Sequence, residues 1–296
     1  MTQGLPPTEA VDQATRGLDR MPTIDLVTTL IDAQQRAFDA VRQAAPQIAR
    51  AADAIAARLQ GGGTLHYVGA GTSGRLGVLD AAELPPTFGV SQLVARAHIA
   101  GGAAALTTAV EGAEDDARGF DAEICSKDAV IGISASGAAP FVCASLERAK
   151  ARGALTVAIT SAPDSRLTKD ADIAIVTQTG AEPLAGSTRM LAGTAQKIVL
   201  SALSTAVMVR LGKVYDNLMV DVVATNEKLR CRALRLVSEL GGVNESRARE
   251  LLEQSGGSVK RAVVMQRLGV DAEAAQTLLG LKGESLREVL AAAPKP

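Results

Sequence analysis

Apolar and polar residues repeat along the chain with two different periods. Between residues 24 and 60, Ala, Leu, Val and Ile recur every three or four positions among Asp, Gln and Arg, which predicts two amphipathic helices that meet near Pro46. From Gly61 onward, short runs of β-forming residues are each followed by a turn and an Ala-rich helical stretch. These runs cover residues 64–68, 93–98, 129–133, 155–159 and 173–176.

Apolar runs of this length between helices predict a parallel sheet that is buried on both faces. The expected fold is therefore α/β, an open parallel sheet of about five strands flanked by helices. A long helical pattern over residues 187–211 closes this part of the chain. Ligands of such sheets bind beyond the carboxyl ends of the strands, where the strand order reverses.

Short helices separated by glycines follow after about residue 235. Asn244, Ser258 and Asp271 stand where N-caps of three of these helices are expected. The pattern predicts three regions, which are N-terminal helices over residues 1–60, a sheet domain over 61–232 and an all-helical tail over 233–296.

Composition narrows the class of ligand. The chain has 296 residues, of which 47% are hydrophobic and 21% are charged, as in one large soluble domain with or without a small one. Lys and Arg number 31 against 32 Asp and Glu, so no surface for a polyanion is indicated and we expect no nucleic-acid partner. Aromatic residues make up only 2% of the chain, too few for stacking platforms. A sugar ligand is expected to be small and held by polar groups.

Cysteine and histidine are sparse. Cys125, Cys143 and Cys231 are widely spaced and odd in number, which favours free thiols in a reducing compartment. The two histidines, His66 and His98, have no metal-ligand spacing. We therefore expect neither a metal nor another cofactor.

Membrane insertion and secretion are not indicated either. The longest apolar stretch, residues 198–209, contains Ser and Thr and is shorter than the roughly 20 residues that span a bilayer. The amino terminus lacks the basic and apolar regions of a signal peptide. The sequence predicts a cytoplasmic protein with no membrane partner.

The first loop, residues 69–75, directly follows a predicted strand and precedes a helix. Its glycines let backbone N–H groups and two hydroxyls converge at a helix amino terminus, which suits a phosphate. The G-x-G-x-x-G spacing also matches a dinucleotide site, but no acidic residue ends the next strand. A purely structural turn stays open as the alternative. The candidate phosphate contacts in this loop are Gly71, Thr72, Ser73, Gly74 and Arg75.

Two further turns repeat this chemistry. In the second loop, residues 134–137, Ser134, Ser136 and Gly137 follow a predicted strand, and Pro140 starts the next helix. The third loop, residues 186–189, reads Gly-Ser-Thr-Arg and offers Ser187, Thr188 and a guanidinium. We expect the three loops to line one pocket for a sugar phosphate.

Five segments carry a resemblance to a known family. Residues 69–90, 111–116, 132–137, 180–197 and 213–229 closely resemble the N-acetylmuramic acid 6-phosphate etherases of the sugar isomerase (SIS) fold, and the likeness spans about residues 8–290. It implies an open five-stranded SIS-type, flavodoxin-like sheet. It also implies cleavage of the D-lactyl ether of N-acetylmuramic acid 6-phosphate, giving N-acetylglucosamine 6-phosphate and D-lactate in the recycling of cell-wall sugars.

Eliminating an ether needs one carboxylate to remove the C2 proton of the opened sugar and one carboxylic acid to protonate the leaving oxygen. The candidates are Glu83, expected at a rigid turn beside Pro85 and Pro86, and Glu114, expected at the end of a short helix. The resemblance implies that Glu83 is the acid and Glu114 the base, whereas the residues alone leave the two roles open. Glu182 is a further candidate, for hydrogen bonds to sugar hydroxyls.

Three positions depart from the family pattern. Ala138 and Ala10 stand where Arg is common, and Leu191 stands where Lys is common. The glutamates and the hydroxyl-bearing loops are retained. The departures remove cationic groups that would face a substrate with a phosphate and a carboxylate, so the reaction class is better indicated than the substrate range.

Two other functions compete with the etherase. An aldose–ketose isomerase on this fold would commonly need a histidine for ring opening, and only His66 and His98 are available. A regulator that binds sugar phosphate without turnover would need the loops but neither glutamate. We also expect a homodimer with shared sites, because pockets on this fold commonly include residues of a neighbouring subunit and because the apolar helices at 24–60 and 187–211 exceed what one sheet must cover.

Overall fold

The computed structural model describes residues 6–120, 123–224 and 226–292. The chain divides into two compact units. The first contains the described residues up to Ala82 together with Leu93–Ala206, and the second contains Glu83–Gln92 together with the described residues from Val207 onward. The domain boundaries expected at residues 60 and 232 stay a prediction.

The first unit is built on a five-stranded parallel sheet. Strand order is β2-β1-β3-β4-β5, and every neighbouring pair is parallel, which confirms the predicted fold. Gly69 pairs with Ile99 on one side and with Ile133 on the other, so the chain leaves β1 and β3 side by side at the point where the order reverses. The strands are β1 (Leu65–Gly69), β2 (Ala95–Ile99), β3 (Ala129–Ile133), β4 (Leu155–Thr160) and β5 (Ile173–Val176).

Helices cover both faces of this sheet. Every residue of β1, β3 and β4 is buried, which explains why these strands are continuous apolar runs instead of alternating ones. Helix α3 (Ala45–Gln60) packs against β3, β4 and β5, and helix α5 (Pro140–Ala151) packs against β1, β3 and β4. Gly132 allows close contact, because a Cβ there would lie 2.5 Å from Leu146 Cδ1.

Residues 24–60 fall in three helices instead of the expected two. They are α1 (Thr23–Ala33), α2 (Gln35–Gln43) and α3, preceded by three short 3-10 turns. The break before Pro46 is as predicted, since proline fits only the first turn of a helix. The break at Gln34 was missed because no Gly or Pro marks it; there the Gln34 N–H bonds to Ile31 O, a 3-10 closure.

The other helices of the sheet region are α4 (Gly71–Phe88), α6 (Arg166–Asp170) and α7 (Leu191–Arg210). Helix α7 begins four residues later than expected, because residues 186–190 form turns instead. Among the described residues, α7 alone has the length and apolar composition of a membrane span. Of its most apolar 18-residue window, 56% is buried inside the protein, and core helices have the same composition.

The second unit is helical and ends with α8 (Glu227–Gly241), α9 (Glu245–Gln254), α10 (Val259–Leu268), α11 (Ala272–Leu281) and α12 (Leu286–Ala292). Asn244, Ser258 and Asp271 each accept the backbone N–H three residues ahead, which confirms the predicted N-caps. The core of the second unit also encloses Lys260, which is 1% exposed and pairs with Asp221.

Candidate active site

The first loop joins β1 to α4 as predicted. Its last glycine is needed for contact between helix and strand, because a Cβ on Gly74 would lie 2.6 Å from Ile99 Cγ1 and 2.7 Å from Gly69 O. Gly71 has a φ of +52°, a conformation that glycine adopts without strain. The glycine spacing therefore brings the amino terminus of α4 directly onto the sheet edge.

Two side chains of this loop bind other parts of the protein. Ser73 is buried, and its Oγ donates to Gln196 Oε1 on α7 at 2.9 Å. Arg75 donates from Nε to Leu106 O at 3.1 Å and from a terminal nitrogen to Thr108 O at 3.3 Å. Thr72 lies against the first turn of α7, with its methyl 3.5 Å from the Cβ position of Gly193. Phosphate contacts by these residues stay a prediction.

The second loop presents hydroxyls at the amino terminus of α5. The Gly137 N–H donates to Ser134 Oγ at 3.1 Å, and the Ala138 N–H donates to Ser136 Oγ at 3.3 Å. The two hydroxyl oxygens lie 3.5 Å apart. Because each oxygen already accepts a backbone N–H, the hydroxyl hydrogens are what this loop offers to an anionic oxygen. Gly137 has a φ of +63°, and a Cβ there would lie 2.2 Å from Ser165 Oγ.

The third loop lies next to the first. The Gly193 N–H donates to Thr188 O at 2.9 Å, and a Cβ built on Gly193 would lie 3.5 Å from the Thr72 methyl, so Thr72 and Thr188 approach the same turn of α7. Ser187 and Thr188 are both partly exposed. On its outer side, the Gly186 N–H donates to Thr8 O at 3.1 Å, which holds the amino-terminal segment against the loop.

Glu182 is fully buried, at 0% exposure. Its Oε2 accepts the Leu191 N–H at 2.7 Å and its Oε1 accepts the Ala192 N–H at 2.9 Å. Burial raises the pKa of this carboxyl, and the two backbone hydrogen bonds oppose that rise. Glu182 thus caps α7; its predicted contact with sugar hydroxyls stays a prediction.

The two candidate catalytic carboxylates are both exposed. Glu114 lies in a 3-10 turn, Ala113–Asp115, of the first unit. Glu83 lies inside α4, in the part that belongs to the second unit. The expected turn at Glu83 is wrong: the helix runs on through both prolines and closes with the Gly89 N–H donating to Pro85 O at 2.9 Å. Interior prolines remove hydrogen bonds without always ending a helix. The pairing of the two glutamates stays a prediction.

Sequence reasoning missed a buried polar network beside the first loop. Tyr67 Oη donates to Asp80 Oδ2 at 2.8 Å, and Ser204 Oγ donates to Asp80 Oδ1 at 3.3 Å. Burial raises the pKa of Asp80. Gln196, the partner of Ser73, is 1% exposed, and its Nε2 has no hydrogen-bond partner among the described residues. The sequence does contain one indication of this network. Gln196 is a polar residue on an apolar helix face, four positions from both Ala192 and Leu200.

The histidines pair with each other. His66 Nδ1 lies 3.0 Å from His98 Nε2, and the rings are stacked at 5.3 Å between centroids. Burial lowers the pKa of His66, and burial together with the charge of His66 lowers the pKa of His98 to about 4. Within the described ranges, no group of three or more His, Cys, Asp or Glu side chains is arranged to hold a metal ion.

Two family patterns match the chain. Residues 47–150 match the N-terminal SIS domain of the glucokinase regulatory protein, and residues 103–206 match the SIS domain. With the parallel sheet and the hydroxyl-bearing turns at its carboxyl edge, these matches define a SIS-domain protein. A solved phosphoheptose isomerase from Francisella tularensis is 18% identical with a TM-score of 0.48, covering 63% of this chain and 98% of that one. A likeness at this level carries no argument about function.

Full-length relatives identify the family more narrowly. The chain is 49% identical over 267 residues to N-acetylmuramic acid 6-phosphate etherase of Symbiobacterium thermophilum, covering 89% of both chains. It is 47% identical over 295 residues to the etherase of Serratia proteamaculans, covering 98% of this chain and 99% of that one. The chain belongs to the N-acetylmuramic acid 6-phosphate etherase family, which confirms the resemblance drawn from the sequence.

Proposed function

We propose that this protein is a carbon–oxygen lyase that cleaves the D-lactyl ether of N-acetylmuramic acid 6-phosphate. The products are N-acetylglucosamine 6-phosphate and D-lactate, and the reaction serves the recycling of cell-wall sugars. The observation that carries the proposal is the 47% identity to an etherase over 98% of this chain, with both candidate glutamates and all three loops present.

The elimination needs two carboxyl groups with separate tasks, and the family resemblance gives the base role to Glu114 and the acid role to Glu83. With the sugar ring open, the C1 aldehyde makes the C2 proton acidic, and the Glu114 carboxylate removes it. The C2–H electron pair forms a carbon–carbon double bond as the ether C–O bond breaks, and Glu83 protonates the departing lactate oxygen. Water then adds across the double bond, returning a proton to C2 and placing a hydroxyl on the former ether carbon. One water is consumed, and each glutamate alternates between acid and base.

The loops supply binding. Hydroxyl donors of the second loop lie at the start of α5, where backbone N–H groups and the helix dipole favour an anion. Backbone N–H groups of the first loop lie at the start of α4 in the same way. Ser187 and Thr188 add partly exposed hydroxyls to the same sheet edge. This donor set suits a phosphomonoester and sugar hydroxyls.

We also propose that the protein is a cytoplasmic homodimer with shared active sites. Helix α1 has no buried residue, and Ile24 and Ile31 are 72% and 64% exposed. A groove of about 610 Å³ next to Ile31 is lined by three apolar and four polar residues, which are Ile31, Phe38, Ile198, Asp32, Gln34, Gln35 and Thr194. Contiguous apolar surface of this kind marks an interface, and a second copy of the chain is the expected occupant. Three free cysteines fit a reducing compartment.

The dimer is tested by sedimentation. The wild type is expected to sediment as a dimer and the Ile31→Glu variant as a monomer, because a buried unpaired carboxylate would oppose association. An exposed polar substitution elsewhere, Gln254→Glu, is the control and should leave the mass unchanged. A monomeric wild type at micromolar concentration would contradict the assembly.

A lactate assay tests the reaction. Wild-type protein is expected to release D-lactate from N-acetylmuramic acid 6-phosphate in deuterated water and to place deuterium at C2 of the product. Glu114→Gln should abolish the exchange at C2, and Glu83→Gln should slow lactate release by about 100-fold or more, the usual contribution of a general acid. Glu111→Gln, three residues from Glu114, is the matched control and should turn over normally.

Two outcomes would replace this function. Binding of the sugar phosphate without lactate release identifies a regulator that binds but does not turn over its ligand. Wild-type turnover in both glutamine variants removes the elimination mechanism. No observation favours an isomerase, since the imidazoles that it would use contact each other and Phe120.

A further inference from the structure

Arg75 contacts the chain segment that leads to Glu114. Arg75 is the fifth residue of α4; its Nε donates to Leu106 O at 3.1 Å and a terminal nitrogen donates to Thr108 O at 3.3 Å. A guanidinium holds its donors in a fixed plane. One arginine can therefore bind two carbonyl oxygens at once, whereas a lysine presents a single nitrogen.

Helix electrostatics favour this contact. Leu106 ends a 3-10 helix, Gly102–Leu106, and carbonyls at the end of a helix lack intrahelical partners and carry partial negative charge. The guanidinium thus donates to two carbonyl oxygens, one of which lies at the negatively polarised end of a helix.

The segment beyond these carbonyls is mostly exposed and packs on Gly101. Gly101 has a φ of +82°, and a Cβ there would lie 3.1 Å from Val110 Cβ and 3.2 Å from the Cβ atoms of Ala105 and Ala113. Glu114 follows Ala113 in the next 3-10 turn. Because Gly101 lies close to both Val110 and Ala113, a shift at residues 106–108 would reach Glu114 through these few contacts.

We propose that Arg75 is a positioning residue that fixes the segment carrying Glu114, instead of binding the phosphate. The proposal rests on the proposed function, in which Glu114 removes the C2 proton. It predicts that loss of the guanidinium misplaces the base and leaves phosphate affinity intact.

Arg75→Lys and Arg75→Gln separate the two roles. For each variant we measure deuterium exchange at C2, kcat for lactate release, and the inhibition constant of inorganic phosphate. Both variants are expected to lose about tenfold or more in exchange and kcat, the scale of a misplaced general base. The inhibition constant should stay within about twofold of wild type. Lysine should not rescue activity, although it keeps the charge.

A phosphate ligand would behave differently. In that case Arg75→Gln weakens inhibition by phosphate about tenfold or more while Arg75→Lys retains most of it, and this result overturns the proposal. Unchanged exchange and kcat in both variants overturn it as well. If the wild type releases no lactate, the proposed function fails and this inference fails with it. If the wild type releases lactate and the Arg75 variants match it, the proposed function stands and only this inference fails.

Gly101→Ala provides an independent perturbation of the same segment. The added methyl must displace Val110 or Ala113, so we expect the same loss of exchange with an unchanged inhibition constant. Gly62→Ala is the matched control: Gly62 has a φ of +81° and no atom within 4 Å of a built Cβ. It carries the same backbone strain without the contact. Equal loss of exchange in the two alanine variants would contradict transmission through packing.

Discussion

Glu182 Oε2 accepts the backbone N–H of Leu191 at 2.7 Å, and both residues are fully buried. The first N–H groups of a helix have no partner within it, and its amino end attracts negative charge. The carboxylate of Glu182 therefore occupies the position at the start of α7 where a substrate anion would otherwise bind. The groups of the third loop that stay available for the proposed ligand are the hydroxyls of Ser187 and Thr188 and the guanidinium of Arg189.

Glu182→Gln should destabilise the protein by about 1–3 kcal/mol, because the amide has one acceptor oxygen and turns an NH2 group toward a buried N–H. Urea unfolding of the variant measures the change. Glu250→Gln, an exposed residue of α9, should cost less than about 0.5 kcal/mol. Equal stability of the two variants would mean that the cap contributes nothing.

Gly74→Ala should separate α4 from the sheet edge. The added Cβ would lie 2.6 Å from Ile99 Cγ1 and 2.7 Å from Gly69 O, and overpacking of this kind costs about 1–3 kcal/mol. The midpoint temperature of thermal unfolding and the affinity for the sugar phosphate should both fall. Gly280→Ala, in α11 with open space around its built Cβ, should instead stabilise the helix slightly.

The His66–His98 pair should make stability depend on pH. The folded pKa of His98 is lowered to about 4 from its usual 6.5 by burial and by His66, so protonation favours the unfolded chain. The stabilisation is complete above pH 6.5 and is lost as pH falls toward 4. Between pH 7 and pH 5, the His98→Gln variant should lose about 1 kcal/mol less folding stability than the wild type. Parallel pH profiles for variant and wild type would contradict this.

Asp221→Asn should strongly destabilise the second unit. Lys260 is 1% exposed, and its Nζ lies 2.5 Å from Asp221 Oδ2 and donates to Glu284 O at 2.6 Å. Removing one partner of a buried ion pair leaves an uncompensated charge and costs about 3–5 kcal/mol. Glu245→Gln breaks an exposed pair with Arg249 and should cost less than about 1 kcal/mol. The midpoint temperatures of thermal unfolding of the two variants measure this difference.

Removal of divalent metal ions should leave lactate release unchanged, because both proton transfers are assigned to carboxyl groups. The measurement is turnover after dialysis against EDTA, with and without added Mg²⁺ or Zn²⁺. A loss that added metal restores would show that a metal ion takes part in the reaction.

Local chemistry in the sequence was sufficient for much of the fold. The bounds of β3 and β5 agree with the apolar runs, and Asn244, Ser258 and Asp271 cap their helices as expected. Strand character, capping and the tight first loop depend on neighbouring residues in the chain, which explains this agreement. The family was also readable from the sequence, since its motifs are contiguous.

Only the tertiary structure decided what the polar side chains of the site contact. Ser73 turns inward to Gln196, 123 residues away, and Arg75 turns to the carbonyls of residues 106 and 108. Such partners depend on which helix packs over which loop, and residue type and spacing contain no record of that packing. A hydroxyl or guanidinium in a glycine-rich turn can bind either a ligand or its own fold, and the choice is made by the groups that folding brings within hydrogen-bond distance.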